Sequence, residues 1–230
     1  MAYAQESDSD GHLAEIFRFT QDMLQASAAV MFWIDSSQRL EVARKIGLPQ
    51  DMDAEYFSTF HRYDPMNPIR LIEQGQSVSF LREAELTQPD HARTMNRSFM
   101  ARHGVRDEVD FVLCGENAPI AVISVLKCPL DPPFETGHFQ WGALHRHLQY
   151  TLGQHPRVRE AQKEAVLSRK FKLTTREIEV IKLLQIGASN AKIAHLMGIG
   201  MATVKTHVVN ILDKIGVDSR LAVAAFVSRL

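Results

Sequence analysis

The distribution of glycines after Leu173 leaves this stretch little choice but to fold as several short helices. Ile178, Ile181 and Leu184, with Gln185 in the same register, recur at helical spacing before Gly187. Ile193, Ala194 and Leu196 do the same before Gly198, and Val204, Val208, Ile211 and Ile215 before Gly216. Glycine just past the last periodic residue is the cap on which helices commonly end. Side chains able to accept from free backbone N–H groups stand where the next helix must begin: Thr174 or Thr175, Ser189 or Asn190, and Ser219. Glu177 falls in a first turn, where the helix dipole favours an anion. A last run carries Leu221, Ala224 and Ala225. The spacing predicts four helices, with Gly198-Ile199-Gly200-Met201 as a tight turn between the second and third. Two short helices joined by such a glycine-containing turn are a helix-turn-helix unit.

Charge divides the chain at the same place. From Ser168 onward there are ten Lys or Arg against four Asp or Glu, a balance of +6. The preceding residues hold sixteen basic against twenty-three acidic side chains, a balance of −7 hidden by the overall −1. An asymmetry of this kind points to a polyanionic partner for the basic segment.

The segment resembles the C-terminal domain of the LuxR/FixJ (GerE-type) regulators over nearly all of 173–226. The resemblance is carried by Leu173, Thr174, Arg176, Glu177, Glu179 and Val180, then by Gly187, Ser189, Asn190, Ile193, Ala194 and Leu196. It continues through Thr203, Val204, Lys205, His207, Asn210, Ile211, Leu212, Lys214, Gly216 and Val217. Ala191 departs from the usual charged or polar residue, and Gly200 from the usual Ser or Thr before the recognition helix. The resemblance implies a transcription regulator on double-stranded DNA, with the third helix in the major groove. With Val204, Val208 and Ile211 inward, Lys205, Thr206 and Val209 face outward, and family resemblance points to the same three positions as base-facing. Lys205 suits guanine acceptors or a phosphate, and Val209 a thymine methyl. Asn190, Lys192, Thr203, Asn210, Lys214 and Arg220 are the further DNA-binding candidates; all but Asn210 are read as phosphate contacts, which give affinity without sequence choice. His207 is expected to pack on a neighbouring helix.

The first two-thirds read as an α+β domain. Helices are expected over 12–25, 51–60, 68–74, 90–103 and 139–152. Strands are expected at Ala28–Ile34, 39–46, Asp107–Cys114 and Pro119–Lys127, with turns at 35–37 and 115–117 and a proline-rich loop over 128–137. This order predicts an α/β/α sensor domain with a mainly antiparallel sheet over 1–153, a linker over 154–167, and an all-α four-helix domain over 168–230. The first domain has no receiver-type acidic pair and no phosphate-binding loop. Its order of elements is similar to acyl-homoserine-lactone-binding domains and to GAF or PAS domains alike.

A small-molecule ligand is therefore expected, either such a lactone or another small apolar or aromatic compound. The alternative is a domain without a ligand that serves dimerisation. Asp64-Pro65, preceded by Tyr56, Phe57, Phe60 and Tyr63, matches the lactone family's aromatic run before an Asp-Pro; there the Asp accepts from the ligand amide. Asp64 could equally initiate a turn. The family's two pocket tryptophans are missing from their places, so Tyr56 or Phe57, and Phe80, would substitute. Met31, Trp33, Phe111 and Val122 complete the expected walls.

No catalytic residue, metal site or cofactor is expected. His138, His145, His147 and His155 lack ligand spacing, and no HExxH stands in the chain. Cys114 and Cys128 are expected as buried thiols of a cytoplasmic protein. No apolar run reaches the roughly 20 residues of a membrane span. A homodimer is expected, through the 141–152 helix or through Leu221, Ala225 and Val227, with RNA polymerase as a further candidate partner.

Overall fold

The computed structural model describes residues 2–35, 37–115, 118–135 and 137–230, with side chains from residue 11 onward. Ser36, Glu116 and Asn117, expected in hairpin turns, and Thr136, expected in the 128–137 loop, lie outside the described residues. The chain divides into two compact units, Met1–Val158 and Arg159–Leu230.

The first unit is built on a five-stranded sheet in which every neighbour is antiparallel. The strands are β1 (Ala28–Ile34), β2 (Leu40–Ile46), β3 (Val78–Phe80), β4 (Asp107–Cys114) and β5 (Pro119–Lys127), ordered β2-β1-β5-β4-β3. Side chains alternate across a strand, so each of the central strands sends residues to two separate layers. Ala29, Met31, Trp33, Val109, Phe111, Ile123 and Val125 go to one side, where α1 (Ala2–Leu24) and α6 (Trp141–Gly153) cover them through Ile16, Phe17, Leu144, Leu148 and Leu152. Val30, Phe32 and Leu126 go to the other side and meet α2 (Met52–Ser58), the 3-10 turn Phe60–Arg62, α4 (Leu81–Ala84) and α5 (Asp90–Arg102). A short α3 (Pro68–Glu73) packs Leu71 against Val112 and Val122. The α+β class and the α/β/α layering are as the sequence predicts.

Lys127 ties the end of α1 to the sheet. Its fully buried ammonium donates to the carbonyls of Leu24 and Gln25 and lies 4.7 Å from the centre of the Phe134 ring. Buried charge requires such partners.

Two expectations need correction, and the stretch expected as a linker, 154–167, is helical from Pro156, as part of α7 (Pro156–Phe171). Proline at a helix's first position loses no hydrogen bond that the helix would have made, and only Leu167 of this charged stretch joins the second unit's core. Cys114 is exposed and Cys128 half-buried, because both sit at strand ends where the sheet stops covering them. The stripe on α6 packs on its own sheet and is unavailable to a second copy.

The second unit contains α8 (Thr175–Gln185), α9 (Asn190–Met197), α10 (Met201–Ile215) and α11 (Arg220–Val227) around Ile178, Ile181, Leu184, Ile193, Val204, Ile211 and Val223. Ser189 and Ser219 accept from the backbone N–H three residues on. Thr174 and Glu177 cap each other reciprocally at the start of α8. Leu196 is 54 % exposed, contrary to expectation, because α9 is only two turns long and Ile193 and Ala194 form its inner face.

Candidate nucleic-acid interface and buried cavity

The spacing that buries Val204 and Ile211 of α10 turns Lys205, Thr206, Val209 and Asn210 to solvent, together with Thr203 in the preceding turn. Val209 is 57 % exposed, an apolar side chain with nothing of its own unit to cover it. Thr206 donates to the Ala202 carbonyl, which fixes its rotamer. Among the described residues no acidic side chain pairs with Lys205 or with the exposed Lys192 near the start of α9, while Asn190 is half-buried there. The α10 N-cap is Gly200, with no side-chain cap, so its first-turn N–H groups are not occupied by a capping side chain.

Two of the basic candidates are already committed. Lys214 donates to Glu177 Oε2 at 2.7 Å and to the Lys172 carbonyl at 3.1 Å, which binds the end of α10 to the start of α8. Arg220 donates to the Ala188 carbonyl and is half-buried. Both side chains hold the unit together, which leaves Lys192 and Lys205 as the basic candidates with no acidic partner among the described residues. His207 is half-buried, beside the inward Val208. On α11, Leu221 is 78 % exposed, whereas Val227 is buried in its own core and drops out as a docking residue.

In the first unit a cavity of about 50 Å³ lies between the sheet and α2 and α5. That is room for a few waters or the head of a small ligand. Tyr56, Asp64, Asn96, Phe99, Glu108 and Ser124 line it. Tyr56 donates to Asp64 Oδ2 at 2.7 Å, and the Met66 backbone N–H donates to Oδ1 at 2.8 Å. Asp64 thus makes the turn that its Asp-Pro position suggests and also faces the cavity. Phe60 stacks on Phe99 at 4.7 Å, Tyr63 packs against Phe60, and Phe57 sits 38 % exposed against Phe32 and Tyr56.

The structure brings Tyr56, Phe57, Phe60, Tyr63 and Asp64 together, with Tyr56 and Asp64 lining the cavity and the other three packed behind them, and separates this group from the remaining candidates. Met31, Trp33, Phe80 and Phe111 belong to the opposite layer. There Phe80 and Phe111 pack around Trp141, and Trp33 packs against His155 and under the Arg157 guanidinium. They do not line this cavity, because each stands one residue out of phase with the strand positions that do. Phe80 instead borders a second, more polar cavity of about 300 Å³ with Gln74, Gln76 and Thr87.

The sequence reading missed Glu108, Asp110, Ser124 and Asn96. The signal was available: Asp107-Glu108-Val109-Asp110-Phe111 alternates charge with apolar residues inside a strand, which puts Glu108 and Asp110 on one face. Asp110 pairs across the ladder with Ser124. Burial pushes the carboxyls of Glu108 and Asp110 well above the ordinary range; the Asp110 and Asp64 charges push Glu108 the same way, while for Asp110 the Asp64 charge adds to the rise and hydrogen bonding with Ser124 and Glu108 opposes it. Burial also raises Asp64, against the hydrogen bonds from Tyr56 and Met66, and lifts the Tyr56 hydroxyl well above its usual value.

Residues 172–227 match the family model for bacterial regulatory proteins of the luxR family (GerE). A curated protein of Klebsiella aerogenes, the monoamine regulon transcriptional regulator, is 24 % identical over 219 residues, 95 % of this chain and 91 % of its own length. The transcriptional regulatory protein LiaR of Bacillus subtilis (strain 168) is 40 % identical over 57 residues, 25 % of this chain and 27 % of its own. Among solved structures, SdiA in complex with octanoyl-rac-glycerol aligns over 96 % of this chain and 87 % of that one, with 20 % identity and a TM-score of 0.46.

Proposed function

We propose that this chain, whose residues 172–227 match the luxR-family model, is a LuxR-type transcriptional regulator that binds DNA as a homodimer through α10, under control of a small molecule held in the first unit. The observation that carries the DNA reading is the outward face of α10, where Lys205, Thr206 and Val209 stand uncovered on a unit of net positive charge. Lys205 and Val209 read bases, Thr206 stands between them, and Lys192 holds a phosphate. Leu221 on α11 is the apolar side chain for a second copy to cover. A dimer places two recognition helices on half-sites about one helical turn apart. The Klebsiella relative matches across both units and is named for a monoamine regulon, which makes small metabolites the first signals to test.

Anisotropy titrations on a selected operator at two salt concentrations test this reading. Lys205→Ala should cost roughly 1–3 kcal/mol and relax preference at one base pair, while Lys192→Ala should weaken all sequences alike and lower the salt slope by about one. Equal, sequence-independent losses in both variants would remove the groove assignment. Five base pairs inserted between the half-sites, about half a helical turn, should reduce binding sharply. An insertion without effect, together with a sedimenting monomer, would end the dimer model.

A further inference from the structure

Six carboxylate side chains of the described residues are buried: Asp64, Glu85, Asp107, Glu108, Asp110 and Glu177. Three have a basic partner, Glu85 with Arg97, Asp107 with Arg82 and Glu177 with Lys214. The other three, Asp64, Glu108 and Asp110, have no ion pair with a described Lys, Arg or His, and these three lie at or beside one cavity. Asp64 and Glu108 line it, and Asp110 lies two residues along the same strand face. Buried charge without a counter-charge is the arrangement that folding most strongly disfavours. Here it stands beside an open volume and aromatic walls.

A second observation is independent of the carboxylates. Asn96 is 3 % exposed, lines the same cavity, and its Nδ2 finds no hydrogen-bond partner. A buried amide left unsatisfied is rare in a finished core, and this one asks for an acceptor within the cavity. Tyr56, Phe99 and Phe32 supply apolar and π surface, which attracts a cation on its face. No group of three metal-ligating side chains is assembled among the described residues, so the geometry favours an organic cation.

Resting on the ligand-sensing reading above, we infer that this cavity receives the ammonium head of a small amine with an apolar or aromatic body, with Glu108 and Asp64 as its counter-charge and Asn96 open to an acceptor atom of the same molecule. The remaining charged groups around it are Asp53, which lines the cavity and is paired with Lys45, and Arg70 and His61, whose charges act on Asp64. Without a cation, burial and mutual repulsion favour the protonated carboxyls. A bound ammonium reverses that balance, so amine binding releases protons.

The test uses the full chain and four probes, followed by calorimetry and thermal shift in two buffers of different ionisation enthalpy. Phenethylamine, 2-phenylethanol and phenylacetate, which share one scaffold, vary the head group and so test the counter-charge alone; N-octanoyl homoserine lactone is the fourth. Phenethylamine should bind at least tenfold more tightly than 2-phenylethanol, phenylacetate should not bind, and protons should leave as the amine enters. Glu108→Gln should lose at least tenfold in amine affinity while melting no lower than wild type without ligand, since it removes an unpaired buried acid. Asp64→Asn, at the other counter-charge, provides the same comparison should Glu108→Gln fail to fold. Equal binding of amine and alcohol, amine binding without proton release, or a Glu108→Gln variant that binds amine normally would each overturn the inference. Stabilisation by 2-phenylethanol or by N-octanoyl homoserine lactone but not by phenethylamine would overturn it and leave the sensing reading standing. Silence from all four probes would count against both.

Discussion

Glu177→Ala should destabilise the DNA-binding unit by about 2–4 kcal/mol. That figure combines a lost helix cap, about 1 kcal/mol, with lost hydrogen bonds to a charged group, about 1.5–3 kcal/mol. Glu177 is 2 % exposed and accepts from the Thr174 backbone N–H at 2.7 Å and from Lys214 Nζ at 2.7 Å. It therefore fastens the first turn of α8 to the last turn of α10, which carries the recognition surface. Lys214 is partly solvated in the native state and can rehydrate when its partner goes, which keeps the loss below that of a fully buried pair. Burial alone would raise the Glu177 carboxyl, but the hydrogen bonds from Lys214 and Thr174 outweigh it and hold the group below its ordinary 4.5. A carboxyl depressed in the folded state contributes stability that is present above its ordinary value and fades as pH falls through the folded one. Wild type should thus lose part of its margin below about pH 4.5, and Glu177→Gln should show a flatter acid limb. Denaturant unfolding followed by helical signal checks both statements. An unchanged midpoint for Glu177→Ala would sink the account.

Gly47→Ala should have a comparable effect on the first unit, about 3 kcal/mol or more from left-handed strain plus a backbone collision. Gly47 follows β2 with φ of +70°, and a Cβ there would run into the Ser27 carbonyl oxygen and approach the Ala28 Cα to 3.0 Å. Both obstacles are main chain at the start of β1, so relief requires moving the β1–β2 pair itself. Gly75→Ala is the matched control: φ is +67° but nothing lies within 4 Å, so only the conformational cost of about 1 kcal/mol remains. Equal melting temperatures for the two variants would show that the close approach is not what Gly47 serves.

The second unit was legible because its determinants are local. Caps, glycines and apolar spacing along 173–226 specify the helices, and the helices leave only one face of α10 free. Lys214 and Arg220 were read only as phosphate contacts because a sequence shows a basic residue but not the acceptor that already holds it. In the first unit the element order and the layered class were legible, but the side of the sheet that each strand residue faces was not. β1 is buried on both faces, so AAVMFWI reads as an unbroken apolar run, and nothing in it tells Trp33 from Phe32. The polar exceptions, Glu108, Asp110 and Ser124, carry that information in the strands beside it. β3 is three residues long, too short for any period to show.

The two-layered sheet has an evolutionary corollary. Glu108, Asp110 and Ser124 alternate with Val109, Phe111, Ile123 and Val125 along β4 and β5. Residues at the proposed signal cavity and residues that seat α1 and α6 therefore occupy even and odd places of the same strands. A lineage can exchange the first set, acid for amide or for alkyl, without disturbing the packing behind it. Descendants of one ancestor can thus diverge in what they detect while keeping one architecture, each change confined to a single side of a wall one residue thick.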